Sequence, residues 1–225
     1  MSKIIKALIA VRSGSVRVKN KNIKPFAGSS LLELKIKQLQ NVKNLDGVIV
    51  NSNSDEMLDI AKKAGAEVVK REEYYATSEA SPNELYVNIA ENFNADIMVF
   101  ANATNPLIST KTVEESIELY KNLRNYDSVN TVNYVKEFLW LDGKAINYNP
   151  DNKPRSQDLP DIMSINHAVN VIDKNLMIER RDIFGYKPYL KVIDKVEAID
   201  IDDEVDFEFA EFLYKKLRGN NQYVC

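Results

Sequence analysis

The residues best suited to chemistry lie in two charged stretches near opposite ends of the chain. Before Glu33 the sequence has no acidic residue and seven basic ones, which are Lys3, Lys6, Arg12, Arg17, Lys19, Lys21 and Lys24. Between Asp194 and Glu211 the balance reverses, with carboxylates at Glu197, Asp200, Asp202, Asp203, Glu204, Asp206 and Glu208. Cations neutralise phosphate oxygens and carboxylates hold hard divalent cations, so a fold that joins the stretches would suit metal–triphosphate chemistry. Two solvated faces of opposite sign are the alternative.

The basic stretch contains a glycine turn directly after an apolar run. Residues 7–11 are apolar and lead into Arg12, Ser13, Gly14 and Ser15. In an open parallel sheet, ligands bind beyond the carboxyl ends of the strands. Gly14 permits a phosphate to approach the backbone N–H groups closely, and the neighbouring cations would neutralise its charge. The spacing matches neither the dinucleotide-binding fingerprint nor the P-loop, so an ordinary turn with solvated lysines is the alternative.

Two aspartates near the C-terminus have the spacing of a metal site. Residues 198–202 are predicted to form a strand, in which Asp200 and Asp202 project to the same side. Carboxylates about 7 Å apart on one pleat can hold a hard cation, with phosphates and waters completing the shell. A carboxylate at the end of an apolar run is costly to bury without a partner, which supports this role for Asp200. Asp202 could instead cap the helix that follows.

The composition is that of an ordinary globular protein. The 225 residues are 44% hydrophobic and 28% charged, without the bias of a disordered chain. No apolar run approaches the roughly 18 residues that span a bilayer, so we expect a cytoplasmic protein with no membrane partner. The net charge of −3 argues against a nucleic-acid binder. The single cysteine, Cys225, excludes an internal disulfide and a cysteine-built zinc site.

Alternating strand and helix patterns occupy the first half of the chain. Strands are predicted at residues 6–11, 47–51, 67–70 and 96–101, and amphipathic helices at residues 31–40, 56–64, 82–92 and 111–121. Leu32, Ile36 and Leu39 show the helical spacing in the first of these helices. Strands separated by helices form βαβ units. The prediction is therefore a Rossmann-like α/β fold with a mainly parallel sheet flanked by helices.

The second half of the chain is richer in strands. After a strand at residues 128–134, residues 138–148 are predicted to form a hairpin around Asp142 and Gly143, followed by a polar loop. Strands are then expected at residues 165–172, 190–192 and 198–202, before a helix at residues 205–217. Since no repeat or linker is visible, we expect one domain over residues 1–225, with a small β-rich excursion at about residues 134–165.

The segment RSGSVRVKNKNIKPFAG, which starts at Arg12, resembles the N-terminal signature of the acylneuraminate cytidylyltransferases, the CMP-sugar synthetases. The residues that match one by one are Arg12, Ser15, Lys21 and Asn22. The resemblance implies that these residues, in the loop of Gly14, hold the phosphates and base of CTP. Val16 stands where the family usually has a basic residue, and Arg17 follows it.

A second stretch of resemblance begins at Arg71. The run REEYYATSEAS is similar to the family's segment from an arginine to Ala-x-Ser, with Ala80 and Ser81 as the matching pair. The resemblance implies that Arg71 and Ser81 help to bind the cytidine. A surface charge at a strand end is the alternative for Arg71, and a helix cap before Pro82 is the alternative for Ser81.

Residues 102–107 stand in place of the family's Gln-Pro-Thr-Ser-Pro loop, where Thr104 and Pro106 match and Asn102 departs from the glutamine. Polar groups of Asn102 and Thr104 are expected between nucleotide and acceptor. The segment EAIDIDDEVDFEFAE, near the C-terminus, resembles the metal-binding segment that ends the family's domain. This likeness implies that Asp200 and Asp202 bind Mg²⁺, or Mn²⁺ in its place.

The acceptor region departs from the family more than the other segments. Residues that agree with its Arg-Gln-x-Leu-Pro and Asn-Gly-Ala motifs are Gln157, Leu159, Pro160, Asn166 and Ala168. Ser156 replaces the arginine, although Arg155 is adjacent, and His167 replaces the glycine. The resemblance therefore implies an acceptor site built from Arg155, Gln157, Asn166 and His167. Because arginine grips carboxylates with two hydrogen bonds, these departures bear on which acid is bound.

The resemblance implies a glycosyltransferase-A-like nucleotidyltransferase fold and a homodimer formed through the β-rich excursion. The implied reaction transfers CMP from CTP to a sialic acid-like nonulosonic acid for surface glycan synthesis, with release of pyrophosphate. Arg12, Lys21 and Asp200 would be catalytic, and either Asp200 or a metal-bound hydroxide would take the hydroxyl proton. The alternatives are a cytidylyltransferase for Kdo, another acid or a phosphorylated acceptor, a metal-dependent glycosyltransferase, and a non-catalytic nucleotide-binding relative.

Overall fold

The computed structural model describes residues 3–219. Cys225 and the polar tail that the sequence places at the C-terminus lie outside these residues. No helix within the described range is long and apolar enough to cross a membrane.

Seven strands form one mixed sheet. In chain order the strands of the protein are β1 Ile5–Ala10, β2 Pro25–Phe26, β3 Ser29–Ser30, β4 Gly47–Ser52, β5 Glu67–Lys70, β6 Ile97–Phe100, β7 Ser128–Val135, β8 Trp140–Leu141, β9 Lys144–Ala145, β10 Ile162–Asp173 and β11 Pro188–Val192. The sheet has the order β11-β7-β10-β6-β1-β4-β5. The pairs β1–β4, β1–β6, β4–β5 and β7–β11 are parallel. β10 is antiparallel to both of its neighbours, β6 and β7.

Helices cover both faces of this sheet. They are α1 Leu31–Gln40, α2 Asp55–Lys63, α3 Pro82–Glu91, α4 Thr110–Asn122, α5 Lys174–Arg180 and α6 Glu204–Gly219. Ala7 and Ile9 of β1 belong to a core that includes side chains of α1, α2, α4 and α6. Leu8, between them, belongs to a second core that includes side chains of α3 and α5. Because alternate residues of a strand face opposite sides, one buried strand supports both layers.

The structure confirms the mainly parallel α/β sheet and corrects the prediction in three places. Residues 198–202 do not form a strand, since a turn at residues 195–198 is followed by irregular chain. β10 is longer than predicted and antiparallel, and the sequence pattern alone does not fix strand direction. α5 was not predicted. It has only seven residues and one buried side chain, Met177, which is too little to give a helical spacing of apolar residues.

The hairpin predicted around Asp142 and Gly143 is present, although its strands β8 and β9 have only two residues each. Asp142 and Gly143 have φ values of +49° and +74°. Positive φ at both central residues is typical of the two-residue turn that matches the twist of paired strands. The hairpin leaves the side chains of Trp140 and Leu141 exposed.

Candidate functional site

A cleft of about 290 Å³ lies at the carboxyl ends of β1 and β6. Its lining includes seven of the predicted site residues, which are Arg12, Ser15, Lys21, Asn22, Asn102, Thr104 and Asp202. Four of them lie in the segment after β1, two follow β6, and Asp202 precedes α6. We call this space the first cleft. It brings together three segments that are far apart in sequence.

Two contacts join the basic segment to the acidic one across the first cleft. The ammonium group of Lys21 donates to the Ile201 carbonyl oxygen, with 2.5 Å between Nζ and O. Arg17 Nη2 and Asp202 Oδ1 form an ion pair at 2.7 Å. The cationic turn and Asp202 therefore share one cleft, as the sequence suggested for the two charged stretches.

Lys21 lies in a mixed electrostatic environment. Burial lowers the pKa of Lys21, and the nearby Arg17 charge acts in the same direction, whereas the charges of Asp200 and Asp202 oppose the shift. Of these two acids, Asp200 has the stronger effect on the pKa of Lys21. Asp200 therefore adjoins the first cleft, although it does not line it. This arrangement places one cation next to two carboxylates.

Asp200 carries a carboxylate oxygen that no described residue satisfies. Its Oδ1 is buried and has no hydrogen-bond partner among residues 3–219. Leaving such an acceptor unpaired costs about 1–3 kcal/mol, and a divalent cation that prefers oxygen ligands would offset that cost. Within the same residues no group of three His, Cys, Asp or Glu side chains could hold a metal. Asp200 is therefore a candidate oxygen ligand for Mg²⁺ or Mn²⁺, whereas Asp202, the second predicted ligand, is paired with Arg17.

Asp203, rather than Asp202, caps α6. Asp203 Oδ1 accepts a hydrogen bond from the Asp206 N–H at 3.0 Å. Asp206 Oδ2 in return accepts from the Asp203 N–H at 3.1 Å and from the Asp202 N–H at 2.9 Å. The capping alternative for the Asp202 side chain is therefore wrong, and its carboxylate is directed to Arg17 instead.

The turn after β1 is fixed by a buried asparagine and remains open to a ligand. The Ser13 N–H donates to Asn53 Oδ1 at 3.0 Å, and Asn53 Nδ2 donates to Ser13 Oγ at 2.8 Å. Gly14 has a φ of +78°, and no atom lies within 4 Å of the position that a Cβ would take. Val16 is 93% exposed. Of the two residues after Ser15, Arg17 lines the first cleft with a charge, and that charge is paired with Asp202.

A second cleft, of about 280 Å³, lies beside the first. The two clefts share Ala10, Val11, Arg12 and Asn102, so they meet beyond the end of β1. The second cleft adds Arg71, Leu85, Tyr86, Phe100, His167 and Ile183. The lining that the structure describes for it thus holds two arginines and aromatic side chains but no carboxylate. Such a surface suits an anionic or planar ligand.

Arg71 is held rigidly at the second cleft. Its Nε donates to Asn51 Oδ1 at 2.6 Å, and its Nη2 donates to the Asn51 carbonyl oxygen at 3.0 Å. Burial, and then the charge of Arg12, lower the pKa of Arg71 to about 10. Arg71 therefore stays charged at neutral pH. Because it is only 3% exposed, the alternative of a surface charge is wrong.

His167 has a left-handed backbone conformation, with a φ of +54°. It lies between Ile165 and Asn170, where the register of β10 against β7 shifts. Its neighbour Asn166 accepts a hydrogen bond at Oδ1 from the Thr131 hydroxyl at 2.7 Å. Glycine adopts this φ without strain, whereas another residue there costs roughly 1–2 kcal/mol. The backbone thus explains why a glycine suits this position, and it marks the histidine as an exception.

Six predicted site residues do not line either cleft. Two of them are Gly14, in the turn after β1, and Asp200, beside the first cleft. Ser81 caps α3, as the capping alternative expected, since its Oγ accepts a hydrogen bond from the Glu84 N–H at 3.3 Å. Arg155 is exposed and pairs with Asp158, and Gln157 lies in the same exposed turn. Asn166, next to His167 in the chain, is buried, and its carbonyl oxygen accepts a hydrogen bond from Asn105 Nδ2.

Sequence reasoning missed two residues that the structure brings to the clefts. Arg17 was noted as one of the seven cations of the basic stretch but not as a site residue, and its pairing with Asp202 was not foreseen. Tyr86, on α3, lines the second cleft, but its helical spacing is that of an ordinary core residue. The family's basic residue directly after the serine was the signal available for Arg17, which stands one position later. No comparable signal exists for Tyr86.

Comparison with known proteins assigns the chain to a family. Residues 6–219 match the family described as cytidylyltransferase. The chain is 27% identical over 217 residues to the CMP-N,N'-diacetyllegionaminic acid synthase of Campylobacter jejuni, covering 91% of this chain and 92% of that protein. It is also 27% identical over 227 residues to the N-acylneuraminate cytidylyltransferase of Escherichia coli, covering 96% of this chain and 53% of that protein.

A solved structure agrees on the fold. The CMP:2-keto-3-deoxy-manno-octonic acid synthetase complexed with CTP superposes with a TM-score of 0.69 at 13% identity, covering 95% of this chain and 99% of that one. At this identity the likeness concerns the fold alone. The family match spans nearly the whole described chain, and the named relatives join CMP to sugar acids. The chain belongs to the cytidylyltransferase family and is a CTP-dependent nucleotidyltransferase.

Proposed function

We propose that this enzyme transfers CMP from CTP to a sialic acid-like nonulosonic acid, with release of pyrophosphate, for surface glycan synthesis. The observation that carries the proposal is the meeting of two clefts at Arg12 and Asn102, one bordered by cations and acids and the other by Arg71 and His167. The legionaminate and acylneuraminate activities in the names of two relatives support this class of acceptor.

In this proposal the nucleotide occupies the first cleft and the edge that it shares with the second. The residues assigned to the nucleotide are Arg12, Gly14, Ser15, Lys21, Asn22, Arg71 and Ser81, the last through the helix that it caps. Asn22 supports the assignment, because its buried Oδ1 has no partner among residues 3–219 and a ligand donor would satisfy it. The residues assigned to the acceptor are Asn102, Thr104, Arg155, Gln157, Asn166 and His167.

Transfer forms a bond between an acceptor hydroxyl oxygen and the α-phosphorus, while the bond from that phosphorus to the pyrophosphate oxygen breaks. Arg12 and Lys21 stabilise the negative charge that grows on the α-phosphate and on the departing pyrophosphate. Mg²⁺ or Mn²⁺, held by Asp200 and Asp202, would add Lewis-acid stabilisation when bound. We assign the hydroxyl proton to the Asp200 carboxylate, through the oxygen that is not assigned to the cation.

An acceptor panel tests the proposed function. The enzyme is incubated with CTP and Mg²⁺ and with N-acetylneuraminate, diacetyllegionaminate, pseudaminate, Kdo or no acid, and pyrophosphate release is measured. We expect release with a nonulosonic acid and not without one. Pyrophosphate release with Kdo and with no other acid would identify Kdo as the acceptor instead. Calorimetry that shows CTP binding without turnover on any acid would contradict the proposal and favour a non-catalytic relative.

His167→Gly should separate stability from acceptor binding. Relief of the positive φ should raise the free energy of unfolding by roughly 1 kcal/mol, measured by urea denaturation. Loss of an imidazole hydrogen bond to the acid should raise KM for the acid about tenfold. Arg181→Gly is the matched control, because Arg181 has a φ of +55° and is exposed at the end of α5. The control should gain similar stability, and an unchanged acceptor KM in His167→Gly would contradict the assignment.

We also propose that the β-rich excursion forms a homodimer. Trp140, Leu141 and Ile146 are 56%, 62% and 56% exposed, an apolar group that a partner surface would cover. Arg155 and Gln157 lie on the same excursion and line neither cleft of their own subunit. In a dimer they could reach the acceptor bound in the clefts of the other subunit. Sedimentation that gives a monomer at micromolar concentration would contradict this proposal.

A further inference from the structure

Asn105 is a fully buried residue in the loop between β6 and α4, and it contacts both sides of the active site. Its Nδ2 donates to the Ile199 carbonyl oxygen at 3.1 Å and to the Asn166 carbonyl oxygen at 3.3 Å. Ile199 directly precedes Asp200, and Asn166 directly precedes His167. One side-chain amide therefore bonds the backbone on either side of the reaction.

Both of these carbonyl groups lie where regular structure is interrupted. Asn166 lies at the register shift of β10, between the paired residues Ile165 and Asn170. Ile199 lies in the irregular chain between the turn at residues 195–198 and α6. Neither segment is held there by a ladder of backbone hydrogen bonds. The Asn105 amide adds one bond to each segment, beside the Ile201 N–H bond to the Thr104 carbonyl oxygen and the Thr131 hydroxyl bond to Asn166 Oδ1.

The orientation of the Asn105 amide follows from its partners. Carbonyl oxygens only accept hydrogen bonds, so the NH₂ group must face Ile199 and Asn166. This orientation leaves Asn105 Oδ1 buried without a partner among residues 3–219. An unpaired buried acceptor costs about 1–3 kcal/mol. An apolar residue at this position would avoid that cost. We therefore expect the two donated bonds to contribute something other than packing, namely the position of the two segments.

A buried lysine fixes the backbone of Asn105. Lys35, on α1, is 2% exposed, and its Nζ donates to the Asn105 carbonyl oxygen at 2.9 Å and to Gln38 Oε1 at 2.8 Å. Burial lowers the pKa of Lys35 to about 7, with the Glu197 charge acting in the opposite direction. The loop is thereby tied to α1 as well as to the two active-site segments.

We propose that Asn105 is a positioning residue, which sets the Asp200 carboxylate and the His167 backbone relative to each other by bonding the residue before each. This inference rests on the proposed function, since it assigns Asp200 to the cation and His167 to the acceptor. Asn105 touches neither ligand. Its loss should therefore disturb two segments together while leaving the phosphate contacts of the turn after β1 intact.

The test compares Asn105→Ala with Thr112→Val in the full-length protein. The Thr112 hydroxyl donates to the buried Glu197 at 2.7 Å, so its removal also costs a buried hydrogen bond, but not one to Ile199 or Asn166. The first readout is amide hydrogen exchange of the ligand-free protein. In Asn105→Ala, peptides covering residues 163–169 and 196–203 should both exchange about tenfold faster, and in Thr112→Val the 163–169 peptide should not.

The second readout is steady-state kinetics. Loss of two hydrogen bonds should raise the half-saturating Mg²⁺ concentration and the acceptor KM by about tenfold each, with the CTP KM changed less than about twofold. If Asn105→Ala fails to fold, Asn105→Ser, which has too short a side chain to reach both carbonyls, is measured in its place. Exchange and kinetics like those of Thr112→Val would overturn the inference. A wild-type enzyme inactive on every acid would refute the proposed function instead, and the exchange result would still stand by itself.

Discussion

Asp200→Asn should keep its fold and lose nearly all of its turnover. The substitution preserves the shape of the side chain and removes the charge that would hold the cation and accept the hydroxyl proton. We expect kcat for pyrophosphate release to fall by about 10²- to 10³-fold, the scale seen when a group that stabilises transition-state charge is removed. The thermal unfolding midpoint should change little, because asparagine keeps the shape and the polar atoms of the side chain and removes only its charge.

Asp203→Asn is the matched control for Asp200→Asn. It removes the same charge only three residues away, and asparagine caps a helix as well as aspartate does. Asp203 interacts with the N-terminus of α6 and not with Lys21. Its kcat should remain within about threefold of the wild-type value. Equal losses in both variants would mean that net charge near α6, rather than a specific role of Asp200, supports turnover.

Lys21→Met should produce the second largest loss. The Lys21 ammonium group lies in the first cleft, bonded to the Ile201 carbonyl oxygen and close to Asp200 and Asp202. Methionine keeps most of the aliphatic stem and removes the cation that would face the α-phosphate. We expect kcat/KM for CTP to fall by about 10²-fold or more, with much of the loss in kcat.

Lys19→Met serves as the control for Lys21→Met. Lys19 is exposed, lies in the same basic segment and does not line the first cleft. Its removal changes the net charge equally and should alter kcat/KM by less than about threefold at 0.15 M salt, where exposed charges are largely screened. A loss in Lys19→Met as large as that in Lys21→Met would contradict a specific phosphate contact and indicate general electrostatic attraction of the nucleotide.

The sequence predicted the turn after β1 and its place at the end of that strand, because these signals are local. The turn around Gly14 follows a buried strand, and its position at the carboxyl end of that strand follows from the fold class. Asp202 lines the first cleft but Asp200 does not, and the strand predicted over residues 198–202 is absent. Ile201 is buried and Asp202 is exposed, and this alternation is typical of a strand. The segment is held by one backbone bond, from the Ile201 N–H to the Thr104 carbonyl oxygen, rather than by the repeated bonds of a strand pair.

The acceptor side could not be derived in the same way, because it depends on contacts between distant segments. The left-handed conformation of His167 arises from the register shift between β10 and β7, which no local pattern reveals. The position of Asn105 between two carbonyl groups likewise depends on the paths of three segments. Ser81 shows the converse case, since the local signal of a serine before Pro82 correctly predicted a helix cap.

The insertion of β10 between β6 and β7 has a consequence for biosynthesis. β6 ends at Phe100, but the strand that covers its second edge starts only at Ile162. A ribosome that adds roughly 5–20 residues per second needs several seconds to cross that interval. During this time β6 presents an apolar, unpaired edge on which other nascent chains could add strands. The pairing of residues 170–173 with β6 therefore closes this edge late in the synthesis of the chain.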